Sequence, residues 1–143
     1  MAGTSTTEVF NCTKEEFFKI ISDYEKYPEF LAEVKNCEVV ETQTGKKKVE
    51  FTVNVIKNFK YQLWMVEQSP NRIDWDFAGG DLFKKSSGSW ALEEQAGKTK
   101  ATYTVEADFK MFVPGPVAKT LISVNLPNMM SAYHKRVSEL YGK

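Results

Sequence analysis

The sequence predicts an α+β fold, in which one curved antiparallel sheet wraps around a long C-terminal helix. Three patterns support this prediction. An amphipathic helical stretch follows a short β-rich start, apolar and polar residues alternate with a period of two from Cys37 to Phe109, and an apolar face with helical spacing follows Val113. The predicted order of elements is β-α-α-β-β-β-β-β-β-α, with about seven strands.

The N-terminal part of the chain is predicted to form one strand and two helices. Residues 4–10 are rich in β-forming side chains, and Thr13 followed by Glu16 matches a capping box, so a helix begins there. The apolar residues of the segment 17–24 recur at i, i+3, i+4 and i+7, which places them on one face. Pro28 is expected in the first turn of a second, short helix.

The central part of the chain is predicted to form antiparallel strands with one buried face. A hairpin turn is expected at Thr44-Gly45, and the strand that contains Trp64 and Val66 is apolar on both sides, so we expect its outer face to be covered. The residues predicted to point inward are Phe51, Val53, Tyr61, Leu63, Met65, Ile73, Trp75, Phe77, Ala101, Tyr103 and Val105.

The C-terminal part is predicted to form one long helix that ends near Tyr141. Roughly 26 residues would give a helix about 39 Å long. Pro127 lies inside this helix, where it removes a backbone hydrogen bond and predicts a kink. Two interpretations stay open, since the helix either bends around the sheet or uses the kink to gate a pocket.

Two motifs resemble a known family. Tyr27-Pro28-Glu29-Phe30-Leu31 resembles a signature of START-like (helix-grip, SRPBCC) proteins, in the polyketide cyclase/dehydrase and coenzyme Q-binding branch. Gly79-Gly80-Asp81-Leu82-Phe83-Lys84-Lys85, followed by Gly88-Ser89-Trp90, is similar to the Gly-Phe-Lys and Gly-x-Trp pattern of the same branch. The resemblance covers nearly the whole chain and implies a helix-grip fold, with residues 1–143 as a single domain and an apolar pocket between sheet and helix.

The inward positions and the resemblance together define a predicted ligand-binding set. Periodicity does not separate the wall of a cavity from a packed core, so plain core packing is the alternative for each of these residues. The predicted set is Tyr24, Tyr27, Phe51, Val53, Leu63, Met65, Trp75, Phe77, Phe83, Trp90, Tyr103, Val105, Asn125, Leu126, Met129 and Met130.

Charge and composition disfavour several kinds of partner. Lys plus Arg and Asp plus Glu are both 19, so we expect no nucleic-acid partner. We expect neither a membrane-spanning segment nor a signal peptide, and therefore a cytoplasmic protein. Cys12 and Cys37 are expected to be free thiols, because two cysteines so far apart form neither a metal motif nor a disulfide framework.

The sequence shows no dedicated catalytic motif. His134 is the only histidine, so no metal site of clustered ligands is expected, and we predict no catalytic residue and no cofactor. Asp74, Asp76, Glu106 and Asp108 fall on the outward positions of their strands, where a solvated face explains them.

Three functions therefore remain open. The preferred one is binding or transport of a hydrophobic small molecule, such as a lipid, an isoprenoid quinone or a polyketide-like aromatic, with transient membrane contact for ligand exchange and no obligate protein partner. The second is a polyketide cyclase or aromatase. The third is a toxin-like protein that binds a macromolecule such as the ribosome, which only two Arg residues make less attractive.

Overall fold

The computed structural model describes residues 2–55 and 57–142. Its seven antiparallel strands form one open sheet with the order β1-β7-β6-β5-β4-β3-β2. The strands are β1 (Ala2–Phe10), β2 (Val34–Gln43), β3 (Lys46–Val55), β4 (Lys57–Gln68), β5 (Arg72–Gly80), β6 (Phe83–Gln95) and β7 (Lys98–Phe109). The helices are α1 (Lys14–Ser22), a 3-10 helix (Tyr24–Glu29), α2 (Gly115–Lys119), a π-helical segment (Thr120–Val124) and α3 (Leu126–Tyr141). The α+β helix-grip prediction is confirmed.

The predicted capping box at the start of α1 is present. The Glu16 N–H donates to Thr13 Oγ1 at 3.1 Å, and the Thr13 N–H donates to Glu16 Oε1 at 2.9 Å. The prediction for Pro28 is wrong, because the second helix begins at Tyr24 and Pro28 lies near its end. Proline lacks the N–H that would extend an α-helical hydrogen-bond ladder, and the segment remains a short 3-10 helix.

On the outer face of β4, lysine side chains cover Trp64, whereas Val66 is 36% exposed, so the expected cover is present only in part. The ammonium groups of Lys46 and Lys48 lie 4.4 Å and 5.2 Å from the centre of the Trp64 ring. Both lysines belong to β3, which pairs with β4 in antiparallel register. Trp64 is therefore shielded from water by the alkyl chains and cationic heads of neighbouring residues, and no further structural layer is needed there.

The single C-terminal helix predicted from the sequence is divided into three segments. The Asn125 N–H donates to the Thr120 carbonyl at 3.0 Å, which is the wide i→i+5 bond of a π-helix. Asn125 then caps α3, so Pro127 lies in the first turn of α3 and not in a helix interior. An N–H has no helical partner in that turn, and the expected penalty of about 3 kcal/mol is avoided.

An aromatic cluster fills one end of the space between sheet and helices. The rings of Phe10 and Phe17 stack with centres 4.4 Å apart, and Phe17 packs edge-on against Trp90 at 5.3 Å. Trp90 packs edge-on against Tyr133 of α3, also at 5.3 Å. These four residues, which we call the packed end, fasten β1, α1, β6 and α3 together.

Two further predictions concern the cysteines and the bilayer. Cys12 and Cys37 are both buried thiols outside any disulfide, as expected. Among the described residues, no helix combines the length and the apolar character needed to span a bilayer.

Candidate ligand-binding cavity

A cavity of about 140 Å³ lies between the concave face of the sheet and the C-terminal helical segments. Every strand from β2 to β7 contributes to its wall, and the π-helical segment and α3 close the opposite side. Its lining residues are Tyr27, Leu31, Glu33, Val34, Phe51, Val53, Tyr61, Leu63, Met65, Trp75, Phe83, Ser86, Trp90, Tyr103, Val105, Leu121, Ile122, Met129 and Tyr133.

Most of the predicted ligand-binding set lies around this cavity. The period-two pattern placed the strand residues on the concave face, because alternate side chains of a strand share one face. The predicted residues that line the cavity are Tyr27, Phe51, Val53, Leu63, Met65, Trp75, Phe83, Trp90, Tyr103, Val105 and Met129.

Five predicted residues are not among those that line the cavity. Tyr24 is buried elsewhere, where its hydroxyl donates to Glu67 Oε2 at 2.7 Å and fastens the 3-10 helix to β4. Phe77 packs edge-on against Phe83 at 6.3 Å. Asn125 caps α3, and Leu126 and Met130 pack against the core beside it.

Three predicted helical residues, Asn125, Leu126 and Met130, lie outside the lining although they belong to the segments that cover the cavity. Met130 is buried in the core, and Leu126 is half-buried against it. Leu121 and Ile122 reach the cavity from the π segment, and α3 contributes Met129 and Tyr133, spaced i and i+4. The i, i+4 relation to Met129 was the sequence signal that could have identified Tyr133.

Four lining residues near the 3-10 helix and on β6 do not belong to the predicted set. Leu31, Glu33 and Val34 lie where the chain passes from the 3-10 helix into β2, and Ser86 lies on β6. Loop residues carry no periodic signal, and no pattern in this sequence could have placed Glu33 at the cavity.

Gly88 shapes the sheet side of the cavity. It lies opposite Trp75 in the register of β5 and β6, and Trp75 lines the cavity. A Cβ atom at position 88 would lie 2.4 Å from the Thr104 carbonyl oxygen and 2.4 Å from the Trp75 ring. Only glycine lets the indole lie this close to β6, which keeps the space above it open.

Four tyrosines supply hydroxyl groups to the cavity wall. Burial raises the pKa of Tyr27, Tyr61, Tyr103 and Tyr133 well above the ordinary value of 10.0. The Tyr27 hydroxyl donates to the Ile21 carbonyl oxygen. All four side chains are therefore neutral near pH 7, and they can position a ligand through hydrogen bonds but do not serve as bases.

Glu33 brings a carboxylate to this otherwise uncharged wall. Its negative charge is a further cause, after burial, of the raised pKa of Tyr61, Tyr103 and Tyr133. The backbone carbonyl of Glu33 accepts a hydrogen bond from the Asn54 N–H at 2.9 Å, which ties the loop to the end of β3. Glu33 is the only Asp, Glu, Lys, Arg or His among the lining residues.

The other polar groups considered from the sequence lie away from the cavity. His134 Nε2 is 2.9 Å from Glu8 Oε1 at the surface, and its ring lies 4.3 Å from that of Phe10. Asp74, Asp76 and Glu106 border a separate depression of the sheet surface, with Ser87 and Ser89. No group of three or more potential metal ligands occurs within residues 2–55 and 57–142.

Comparisons with known proteins agree with this architecture. The sequence profile of the family described as "Polyketide cyclase / dehydrase and lipid transport" matches residues 11–132. No curated protein is similar enough in sequence to match the chain.

Several solved structures have the same fold. A START superfamily protein from Mycobacterium smegmatis superposes with a TM-score of 0.83 at 23% identity, over 96% of this chain and 98% of its own. The Zhui aromatase/cyclase from Streptomyces sp. R1128 superposes with a TM-score of 0.70 at 17% identity, over 96% of this chain and 86% of its own. A STAR-related lipid transfer protein fragment from Xanthomonas axonopodis superposes with a TM-score of 0.75 at 12% identity, over 94% of this chain and 85% of its own.

Proposed function

This chain belongs to the polyketide cyclase/dehydrase and lipid transport family, and on that premise we propose that it binds and transports a hydrophobic small molecule in the cavity between its sheet and its C-terminal helical segments. The single observation that carries the proposal is the cavity itself, whose wall is formed mainly by apolar side chains and neutral tyrosines. Apolar walls supply affinity through burial, and a few polar groups fix orientation.

The volume of the cavity favours a compact ligand. An apolar protein cavity of roughly 150 Å³ is large enough to hold benzene, and the cavity here measures about 140 Å³. Among the ligand classes considered, a polyketide-like aromatic with one or two rings fits better than a lipid or an isoprenoid quinone. A longer ligand requires displacement of part of the wall, and the half-buried Met129 and Leu121 are the side chains best placed to yield.

Two measurements test the binding function. Native mass spectrometry of protein purified from its own host should detect a bound small molecule that solvent extraction releases. A Met129→Trp variant should fill the cavity and lose that ligand while keeping the thermal stability of the wild type. Ser131→Trp, at an exposed position of the same helix, is the matched control and should keep the ligand. Repeated recovery of ligand-free wild-type protein that also rejects aromatic, quinone and lipid probes would contradict the proposal.

Cyclisation of a polyketide chain is the second candidate function. Glu33 and the tyrosine hydroxyls at the cavity favour it, because they could orient the carbonyl groups of such a substrate. If this chain is a cyclase, Glu33→Gln or Tyr61→Phe should abolish turnover of a poly-β-ketone substrate while substrate binding persists. Unchanged turnover in both variants would exclude this role for the two residues.

We also propose that ligand exchange takes place at an anionic membrane. The side chains of Met111 and Phe112, between β7 and α2, are 91% and 57% exposed, and Val124 in the π segment is 56% exposed. The Lys57 ammonium lies 5.5 Å from the centre of the Phe112 ring. Exposed apolar side chains next to lysines suit the interface of a bilayer.

The charge distribution supports an anionic lipid as the partner. The chain as a whole is neutral, yet residues 109–138 contain no Asp or Glu and include Lys110, Lys119 and Lys135, whereas Arg136 is paired with Glu29 at 2.9 Å. Basic residues near a membrane surface contribute about 1 kcal/mol each with anionic lipids. This stretch also contains Leu121 and Ile122, which line the cavity, so contact would occur beside the cavity wall.

Vesicle cosedimentation tests the membrane proposal. The protein should bind vesicles of phosphatidylcholine with phosphatidylglycerol and should not bind phosphatidylcholine alone. Phe112→Ala should weaken this binding severalfold, whereas Val40→Ala, at a 44% exposed position on β2, should not. Equal binding by the two variants, or no binding to either vesicle, would contradict the proposal. The cytoplasmic location stays a prediction.

A further inference from the structure

The cavity has one polar region, and Glu33 is its centre. Glu33 is the only carboxylate among the lining residues, and its side chain is half-buried. Among residues 2–55 and 57–142, no hydrogen bond or ion pair to its carboxylate is found. A partly buried carboxylate with no protein partner at a cavity is available to a ligand.

Two tyrosine hydroxyls in the same wall are also available. Tyr61 and Tyr103 line the cavity, and their hydroxyls make no hydrogen bond within the described part of the chain. No described buried side-chain oxygen or nitrogen lacks a partner, so these two hydroxyls are not sealed in the core and remain accessible from the cavity. The Tyr27 hydroxyl, by contrast, is already committed to the Ile21 carbonyl.

The cavity wall combines the carboxylate of Glu33, which accepts hydrogen bonds, with the neutral hydroxyls of Tyr61 and Tyr103. The charge of Glu33 acts on Tyr61 and Tyr103 and, together with their burial, raises the pKa of both, so both remain protonated. No Lys, Arg or His is among the lining residues. A second negative charge in this cavity would have to lose its hydration without a cation to compensate it, which is costly.

We propose that Glu33, Tyr61 and Tyr103 select compact aromatic ligands that carry a neutral hydroxyl group, and that they exclude ligands that carry a carboxylate. This inference rests on the proposed binding function and names its ligand class. A hydroxyl can donate to Glu33 and at the same time accept from a tyrosine, whereas a carboxylate only accepts. A neutral hydroxyl therefore satisfies both kinds of partner, and a carboxylate leaves Glu33 without a donor.

A set of probes with one shared ring tests the selection. Isothermal titration calorimetry at pH 7 with p-cresol, p-xylene and 4-methylbenzoate compares a hydroxyl, a methyl and a carboxylate on nearly the same shape. We expect p-cresol to bind the wild-type protein at least about tenfold more tightly than p-xylene, as a hydrogen bond to a charged group would give. We expect no measurable binding of 4-methylbenzoate. p-Toluidine, which is neutral at this pH, serves as a further donor and should bind less tightly than p-cresol.

Variants then assign the selection to Glu33. Glu33→Ala should remove the preference for p-cresol over p-xylene, and Glu33→Gln should reduce it while admitting 4-methylbenzoate. Glu38→Gln, at an exposed position on β2, should leave all affinities unchanged. Because p-xylene needs no polar partner, its unchanged affinity in the Glu33 variants shows that the cavity is still folded.

The outcomes separate this inference from the proposed function. Equal affinity for p-cresol, p-xylene and 4-methylbenzoate would overturn the selection but leave hydrophobic binding intact. Tightest binding of 4-methylbenzoate would also overturn it. Binding of none of the probes would contradict the proposed function itself at this ligand size.

Discussion

The two ends of the space between sheet and helices differ in how they are filled. At the packed end, Phe10, Phe17, Trp90 and Tyr133 contact one another ring to ring, and the regular helices α1 and α3 cover them. At the other end, which we call the hollow end, the π segment and Met129 of α3 face the sheet across the cavity of about 140 Å³. Trp90 and Tyr133 form the boundary between the two ends, because they also line the cavity. The difference suggests that the first end stabilises the fold and leaves the second free for binding.

The largest expected loss of stability comes from removing an aromatic ring from the packed end. Phe17 is fully buried, and Phe17→Ala should lower the free energy of unfolding by about 3–5 kcal/mol, because it removes a large ring and leaves a void. Met129→Ala at the hollow end should cost only about 1 kcal/mol, since Met129 already borders empty space and is half-buried. Urea denaturation of both variants measures the difference. Equal losses would show that the two ends do not differ in this way.

A smaller effect is expected when the sheet side of the hollow end is filled. Gly88→Ala would place a Cβ atom 2.4 Å from the Trp75 ring and the Thr104 carbonyl, and the resulting overpacking should cost about 1–3 kcal/mol. Gly79→Ala is the matched control, because the nearest atom to a Cβ there, Gln62 Oε1, is 4.0 Å away. Thermal unfolding compares the two variants, and a stable Gly88→Ala protein with unchanged tryptophan fluorescence would show that Trp75 moves without cost.

Alkaline pH should lower the free energy of unfolding, because the tyrosines of the hollow end resist ionisation in the folded protein. The pKa of Tyr103 is raised in the folded protein, so its contribution to stability is fully present below about pH 10 and is lost as the pH rises above that value. Between pH 9 and pH 11, wild-type protein should therefore lose on the order of 1 kcal/mol relative to Tyr103→Phe. Lysine titration occurs in both proteins and cancels in the comparison.

The same pH series needs a second tyrosine as its reference. Tyr141, at the end of α3, is half-buried, and its hydroxyl donates to the Glu16 carbonyl. Its pKa is also raised, mainly by burial. Tyr141→Phe should change the pH dependence less than Tyr103→Phe does. A pH dependence that is identical in wild type and Tyr103→Phe would show that Tyr103 ionises as freely in the folded protein as in the unfolded one.

The smallest expected effect lies on the surface beside the packed end. Glu8→Gln removes the carboxylate that lies 2.9 Å from His134 Nε2, and exposed pairs of this kind contribute about 0.2–1 kcal/mol. Chemical denaturation of the two proteins should give a difference within that range. A loss of unfolding free energy as large as that of Phe17→Ala would mean that the contact between Glu8 and His134, and not the rings of the packed end, holds β1 to α3.

The strands could be predicted from the sequence more fully than the helices. Alternation along β3, β4, β5 and β7 identified the concave face, and Thr13 with Glu16 identified the start of α1, because these signals are local. The segment after Val113 looked like one helix because apolar residues continue through it. It is divided at Asn125, and Leu126 and Met130 pack against the core beside the cavity, because apolar periodicity does not separate a cavity wall from a packed interior.

By itself, the sequence determined the fold class, the strand order along the chain, the family and the side of the sheet that is buried. The family follows from the two short motifs that resemble it, and the other features depend on periodicity and on short-range capping, which each segment carries within itself. Only the tertiary structure decided that Glu33, Tyr61 and Tyr103 line the same cavity, that Gly88 makes room for Trp75 and that the π segment leaves a cavity. Contacts between distant segments depend on how whole elements pack, and no local pattern of side chains encodes that packing.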